Sequence, residues 1–285
     1  MSMRDERTAA EVAGRAGRAG DLGVERPEPG AYMLRTAAME AGKAYKEQLL
    51  GLLDVRAGQT ALDAGCGPGT DLPALAARVG PAGAVIGIDR DPAMPAEARR
   101  RTAGLPQVEL REGDLNALPL ADGSLDRAKA DRVLMHVPDP AAVLARLHAA
   151  TAPGGLVGLV EPDWDTLVVD SDDLDTSRAF TRYTVTEAVR NATIGRSLGR
   201  LAERAGFTVE TVCATTPVFR DAAVADYTLG LGRNLRRAVA AGYVEAERGR
   251  RWFEGLAKSP FHASFTLVTV LARRICAAHL STRAE

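Results

Sequence analysis

Three aspartates and one run of glycines set out what chemistry this sequence could do. Asp63 stands two residues before Gly65-Cys66-Gly67-Pro68-Gly69; Asp89 ends the apolar run Ala84-Val85-Ile86-Gly87-Ile88; Asp114 follows Val108-Glu109-Leu110-Arg111-Glu112-Gly113. Each apolar run reads as a short strand, and an open α/β sheet binds ligands in the crevice beyond the carboxyl ends of its strands. Glycines there let the backbone take left-handed angles and let a ligand approach where a Cβ would stand. A carboxylate accepts hydrogen bonds from ammonium, diol and amine groups. Asp89 lies about 20 residues beyond the glycine turn, the distance at which a carboxylate meets a ribose diol. Asp114, followed by Leu115 and Leu118, is a third acid at such a strand end. One terminal acid is ordinarily a helix cap or a turn residue. Three on successive strands carry more weight.

The glycine turn departs from the dinucleotide fingerprint, which places its glycines first, third and sixth. Here the sixth position is Thr70 and the third glycine, Gly69, falls fifth. An acid just before the turn suits a cationic ligand better than a pyrophosphate. At these residues the chain resembles the first motif of the class I S-adenosylmethionine-dependent methyltransferases, whose cofactor carries an ammonium and a sulfonium but no phosphate. The resemblance continues through Leu118-Pro119-Leu120-Ala121-Asp122-Gly123-Ser124-Leu125-Asp126, a strand over 127–133, Leu134-Met135-His136-Val137-Pro138-Asp139, and Ala152-Pro153-Gly154-Gly155 leading into a fifth strand that ends at Glu161. That order of motifs is similar to the ubiquinone/menaquinone-biosynthesis (type 11) group, although Leu120 and Leu125 stand where many relatives carry Phe. It covers about residues 49–163.

The resemblance implies a Rossmann-like α/β three-layer sandwich with a seven-stranded, mostly parallel sheet and helical caps. It implies that S-adenosylmethionine is held by Asp63, Gly65, Cys66, Gly67 and Gly69, by Asp89 and Arg90, by Gly113, Asp114 and Leu115, and by Ala130, Asp131 and Arg132. Methyl transfer from a sulfonium is an in-line displacement that needs positioning and, for some acceptors, removal of one proton. His136 is the candidate base, because an imidazole titrates near neutrality; Glu161 or Asp163 would orient it or bind a donor on the substrate. Trp164, with Tyr32 and Met33, is the expected wall for the acceptor. Cys66 reads as a small side chain filling a tight turn rather than as a nucleophile.

The rest of the chain positions this edge. Residues 1–30 read as a flexible tail in which arginines and acids interleave, and 31–285 as one methyltransferase domain: a cap helix over 31–54, a cofactor-binding core over 55–170, and a helical substrate-cap insertion over 220–258. The arginines at 233, 236, 237, 248, 250 and 251 read as a solvated helix face. A formal charge of −1 gives no pull toward nucleic acid or anionic membrane. No apolar run reaches the roughly 18–20 residues of a membrane span. Three scattered cysteines indicate neither a disulfide framework nor a metal site and fit a reducing cytoplasm. The expected partner is a small-molecule acceptor, a secondary metabolite for preference; its identity and the oligomeric state are open. Two alternatives stand beside this reading, an NAD-dependent oxidoreductase and a non-methylating cyclase or regulatory protein on the same scaffold.

Overall fold

The computed structural model describes residues 29–118, 120–258 and 260–275. The expected tail, apart from its last two residues, and Cys276 lie outside the described residues, as does the Tyr32 side chain.

One sheet organises the molecule. Its strands are β1 Thr60–Ala64, β2 Ala84–Asp89, β3 Val108–Glu112, β4 Leu125–Asp131, β5 Thr151–Val169, β6 Thr208–Thr215, β7 Val218–Phe219 and β8 Ala263–Arg273. They lie in the order β3-β2-β1-β4-β5-β8-β6, with β7 added to β8. The first five are parallel, and β8 runs antiparallel to β5 and β6. Central strands of this kind are covered on both faces and so are nearly continuously apolar, as in Ala84-Val85-Ile86-Gly87-Ile88. The helices are α1 Pro29–Ala38, α2 Glu40–Leu53, α3 Leu72–Val79, α4 Met94–Arg101, α5 Pro140–Ala150, α6 Leu174–Tyr183, α7 Leu198–Arg204, α8 Ala222–Leu229, α9 Leu231–Ala240 and α10 Ala246–Leu256. Leu49, Leu53, Leu72, Leu75, Phe180 and Trp252 belong to one core. Leu134, Leu144, Leu147 and Leu198 belong to a second. Two cores with a sheet between them make the three-layer sandwich that the motifs implied.

Several boundaries differ from expectation. The single helix expected before β1 is two, broken at Met39, whose backbone is extended (φ −65°, ψ 151°). The sheet has eight strands rather than seven, the extra one being the two residues of β7. The fifth strand does not stop at Glu161. It continues to Val169 because the eleven-residue β8 offers pairing that far, with a register shift between Asp163 and Val168. Bulges of this kind re-aim side chains and recur beside active sites; this one contains Trp164. Arg248, Arg250 and Arg251 on α10 form exposed ion pairs with Asp173, Glu247 and Glu254, as a solvated face requires. No helix among the described residues is long and apolar enough to cross a membrane.

Candidate active site

A cavity of about 470 Å³ opens at the carboxyl ends of β1 and β4. Its floor is the glycine turn. Gly65 takes φ +73°, and an added Cβ would stand 2.4 Å from Cγ2 of Val133, so the turn packs directly on the loop after β4. Gly67 takes φ +51°, and a Cβ there would meet Sδ of Met33 at 3.0 Å, filling the gap between the turn and α1. Asp89 braces the turn from the next strand, its Oδ2 accepting the Gly67 N–H at 2.8 Å. Cys66 is buried, and burial pushes its thiol well above the usual range, which keeps it protonated.

Beneath the turn lies a cluster of charge that the sequence did not announce. Lys129, in the middle of β4 and only 2% exposed, contacts Asp63 at 2.9 Å and Asp71 at 2.7 Å. Lys46, from α2, contacts Asp71 at 2.6 Å and Asp131 at 2.7 Å. The Tyr45 hydroxyl donates to Asp131 at 3.1 Å. Burial raises the Asp63 carboxyl despite the opposing charge of Lys129. At Asp71 and Asp131 burial acts the same way but is outweighed by the lysines, and both carboxyls sit below their usual range. Burial would lower the Lys129 ammonium; Asp63, Asp71 and Asp131 together hold it well above its ordinary value. Three carboxylates face two ammonium groups, and the Arg132 guanidinium, 3.5 Å from Asp131, brings the third positive charge.

The loop after β4 is fastened from outside. Arg132 is held at φ +57°, an uncommon conformation for a residue with a side chain. Glu161, fully buried, accepts the N–H groups of Val133 (2.7 Å), Leu134 (2.5 Å) and Met135 (3.3 Å). The Asn191 amide donates to the carbonyls of Leu134 and Val137, both at 2.8 Å, and its backbone N–H to Met135 at 3.1 Å. Asn191 follows a single π-turn, Thr184–Ala188, a distortion frequent at functional sites. This bracing presents Arg132, Met135 and His136 to the cavity.

The structure thus brings together Asp63, Gly65, Cys66, Gly67, Asp131, Arg132, His136, Met33 and Trp164 around one space. Others stand apart from that lining. Glu161 is sealed under the β4 loop. Asp163 is paired bidentately with Arg196, at 2.8 Å for one contact. Ala130 is buried in β4, Gly69 packs against α4, and Arg90 is exposed. Asp114 is exposed and caps the short turn at Leu115, accepting the Asn116 N–H at 2.9 Å. Its carboxyl is lowered by that hydrogen bond. Lys46, Asp71, Lys129 and Asn191 were not singled out from sequence. A signal for Lys129 was present: a lysine between two alanines in a central strand, covered on both faces, must meet an acid. Among the described residues no His, Cys, Asp and Glu cluster could hold a metal.

Comparisons with known proteins agree with this geometry. The family described as "Methyltransferase domain" matches residues 61–155. An uncharacterized 37.1 kDa protein in transposon TN4556 of Streptomyces fradiae is 50% identical over 268 residues, which cover 94% of this chain and 77% of that one. Demethylmenaquinone methyltransferase of Staphylococcus aureus (strain JH9) is 35% identical over 132 residues, covering 46% of this chain and 55% of that protein. The crystal structure of a candidate methyltransferase from Bacillus halodurans C-125 shares the fold with a TM-score of 0.61 at 17% identity, covering 82% of this chain and all of that one. Residues 61–155 form a methyltransferase domain of the class I S-adenosylmethionine-dependent kind.

The cofactor of this methyltransferase is S-adenosylmethionine, and the residues on the cavity floor fit it. Its amino-acid end is a zwitterion, and the floor offers both matching signs: carboxylates at Asp63 and Asp131 to accept from an ammonium, Lys46 and Arg132 to donate to a carboxylate. No glycine stands at the sixth position of the turn, and an acid precedes it, so the oxidoreductase alternative falls away.

Proposed function

We propose that this methyltransferase moves a methyl group onto an O, N or C atom of a small organic molecule, a secondary metabolite by preference. One observation carries the reading: the ion cluster under the glycine turn and an apolar wall built from the caps and β5 share a single cavity. When bound, S-adenosylmethionine supplies an electrophilic methyl on a sulfonium. Asp63 and Asp131 would take the ammonium, and Lys46 and Arg132 the carboxylate. Asp89 would take the ribose diol, and Asp114 with Leu115 the adenine. Met33 and Trp164 line the acceptor's side. His136, exposed on the braced loop and lining the cavity, is the residue to accept a proton from the nucleophile where one must leave. Glu161 and Asp163 then act as positioning residues, the first through the backbone of the loop that bears His136, the second, next to Trp164 in the strand, by pairing with Arg196. The free thiols Cys66 and Cys213 support a cytoplasmic setting.

The test is release of S-adenosylhomocysteine together with a gain of one methylene mass on the acceptor, read by mass spectrometry across a panel of small molecules. Cofactor binding without product from any class of acceptor would favour the non-methylating alternative.

A further inference from the structure

A second cleft lies behind Asn191, between residues 185–201 and the start of α5 at Pro140. It shares no lining residue with the cavity at the glycine turn. Its volume, about 360 Å³, is within the range of small-molecule sites. Arg190 and Arg200 line it with the hydroxyl-bearing Thr193 and Ser197, and Val185 and Leu201 add an apolar patch. No carboxylate lines it. Asp139, beside Pro140 in sequence, accepts the Ala142 N–H at 3.0 Å as the cap of α5. Arg196 is paired with Asp163 and Asp165, but neither Arg190 nor Arg200 forms an ion pair among the described residues. The Arg200 guanidinium donates instead to the Ser197 hydroxyl at 3.1 Å.

The side chains are exposed, but the backbone that carries them is fixed. The Ile194 N–H donates to the Asn191 carbonyl at 3.1 Å, the Ser197 N–H to Ile194 at 2.9 Å, and the Trp164 N–H to Ala192 at 2.9 Å. Gly195 packs so closely on β5 that an added Cβ would stand 2.9 Å from the Glu161 carbonyl oxygen. A guanidinium presents paired N–H donors that match a phosphate, and a hydroxyl adds another donor. We propose that this cleft takes the phosphate group of a small phosphorylated organic molecule, gripped by Arg190 and Arg200, and that its occupation tightens the loop bearing His136 through Asn191. The coupling is mass action: a ligand that binds only the docked form of this segment favours that form. Asn191 belongs to the same segment and holds the carbonyls of Leu134 and Val137.

The test is calorimetric titration of the full chain with phenyl phosphate, inorganic phosphate and phenol, at constant ionic strength, with and without S-adenosylhomocysteine. The expected result is one phenyl phosphate site with a Kd of about 1 mM or tighter, inorganic phosphate at least three-fold weaker, and no phenol binding. Arg190→Gln combined with Arg200→Gln should weaken phenyl phosphate at least ten-fold. Arg204→Gln, at an exposed arginine of α7 that does not line the cleft, should change it less than two-fold. Saturating phenyl phosphate should slow amide exchange over residues 133–137 at least three-fold in the wild type and not in the double variant. Binding that survives the double substitution, binding that S-adenosylhomocysteine displaces, or no saturable binding would overturn the site. Inorganic phosphate binding as tightly as phenyl phosphate would overturn the organic ligand, and unchanged exchange would overturn the coupling. Retained phenyl phosphate binding without any S-adenosylhomocysteine binding would count against the cofactor reading and leave this site standing.

Discussion

Replacing Lys129 with Met would test whether the charge cluster is what fixes the cofactor floor. Methionine keeps the length and apolar stem of the side chain, so the packing loss is small. The electrostatic loss is not. Asp71 retains Lys46 at 2.6 Å, but Lys129 is the one cation in ion-pair contact with Asp63 among the described residues. Asp63 is 1% exposed, so an uncompensated carboxylate remains in the interior. Breaking a buried pair from one side costs about 3–5 kcal/mol, which for a chain of this size lowers Tm by roughly 5–8 °C. Urea unfolding at neutral pH, without cofactor, measures it. The double variant Lys129→Met with Asp63→Asn removes the stranded charge and should recover at least half of the loss. Acidification should also help the single variant, because protonating Asp63 removes the same charge. A loss under about 1 kcal/mol, the scale of an exposed pair, or no recovery in the double variant, would refute the electrostatic account of the floor.

Three further outcomes follow from the same geometry. His136→Ala should lower turnover at least roughly ten-fold, within the usual span of general-base effects, while calorimetry shows S-adenosylhomocysteine affinity retained; unchanged turnover removes His136 from the mechanism. Burial pushes the Glu161 carboxyl from 4.5 up to about 8, so between those values the folded chain holds a proton that the unfolded chain has released. Its contribution to stability therefore falls as pH rises through that window and is flat above it; Glu161→Gln, which cannot ionise, should reduce that slope in urea titrations from pH 5 to 9. Asn191→Ala frees the carbonyls of Leu134 and Val137, and amide exchange over residues 133–137 should speed up at least ten-fold while exchange in β1 and β2 is unchanged.

What could be read from the sequence was whatever is local or periodic. Asp63, Asp89 and Asp114 announced strand ends because three acids recur, one after each short run that reads as a strand. Gly65 and Gly67 announced a turn because their angles exclude most side chains. The pairing of Lys129 with Asp63 and Asp71, by contrast, depends on β4 lying beside β1, a relation no local pattern records. The reach of β5 past Glu161 depends likewise on how long β8 is, about a hundred residues later. Asp114 shows the opposite error of scale: its local role as a turn cap is plain in the structure, and the adenine role rests on the resemblance. Asn191 carries no sequence signal at all, since its importance comes from two carbonyls more than fifty residues earlier.

The length of β5 has an evolutionary consequence. One continuous strand carries Glu161, which secures the loop after β4, and three residues later Trp164, which lines the cavity. On the proposed function, donor and acceptor grips are thus two stations on a common beam. A lineage could trade one acceptor for another by rewriting the beam's tip, and leave the donor station untouched.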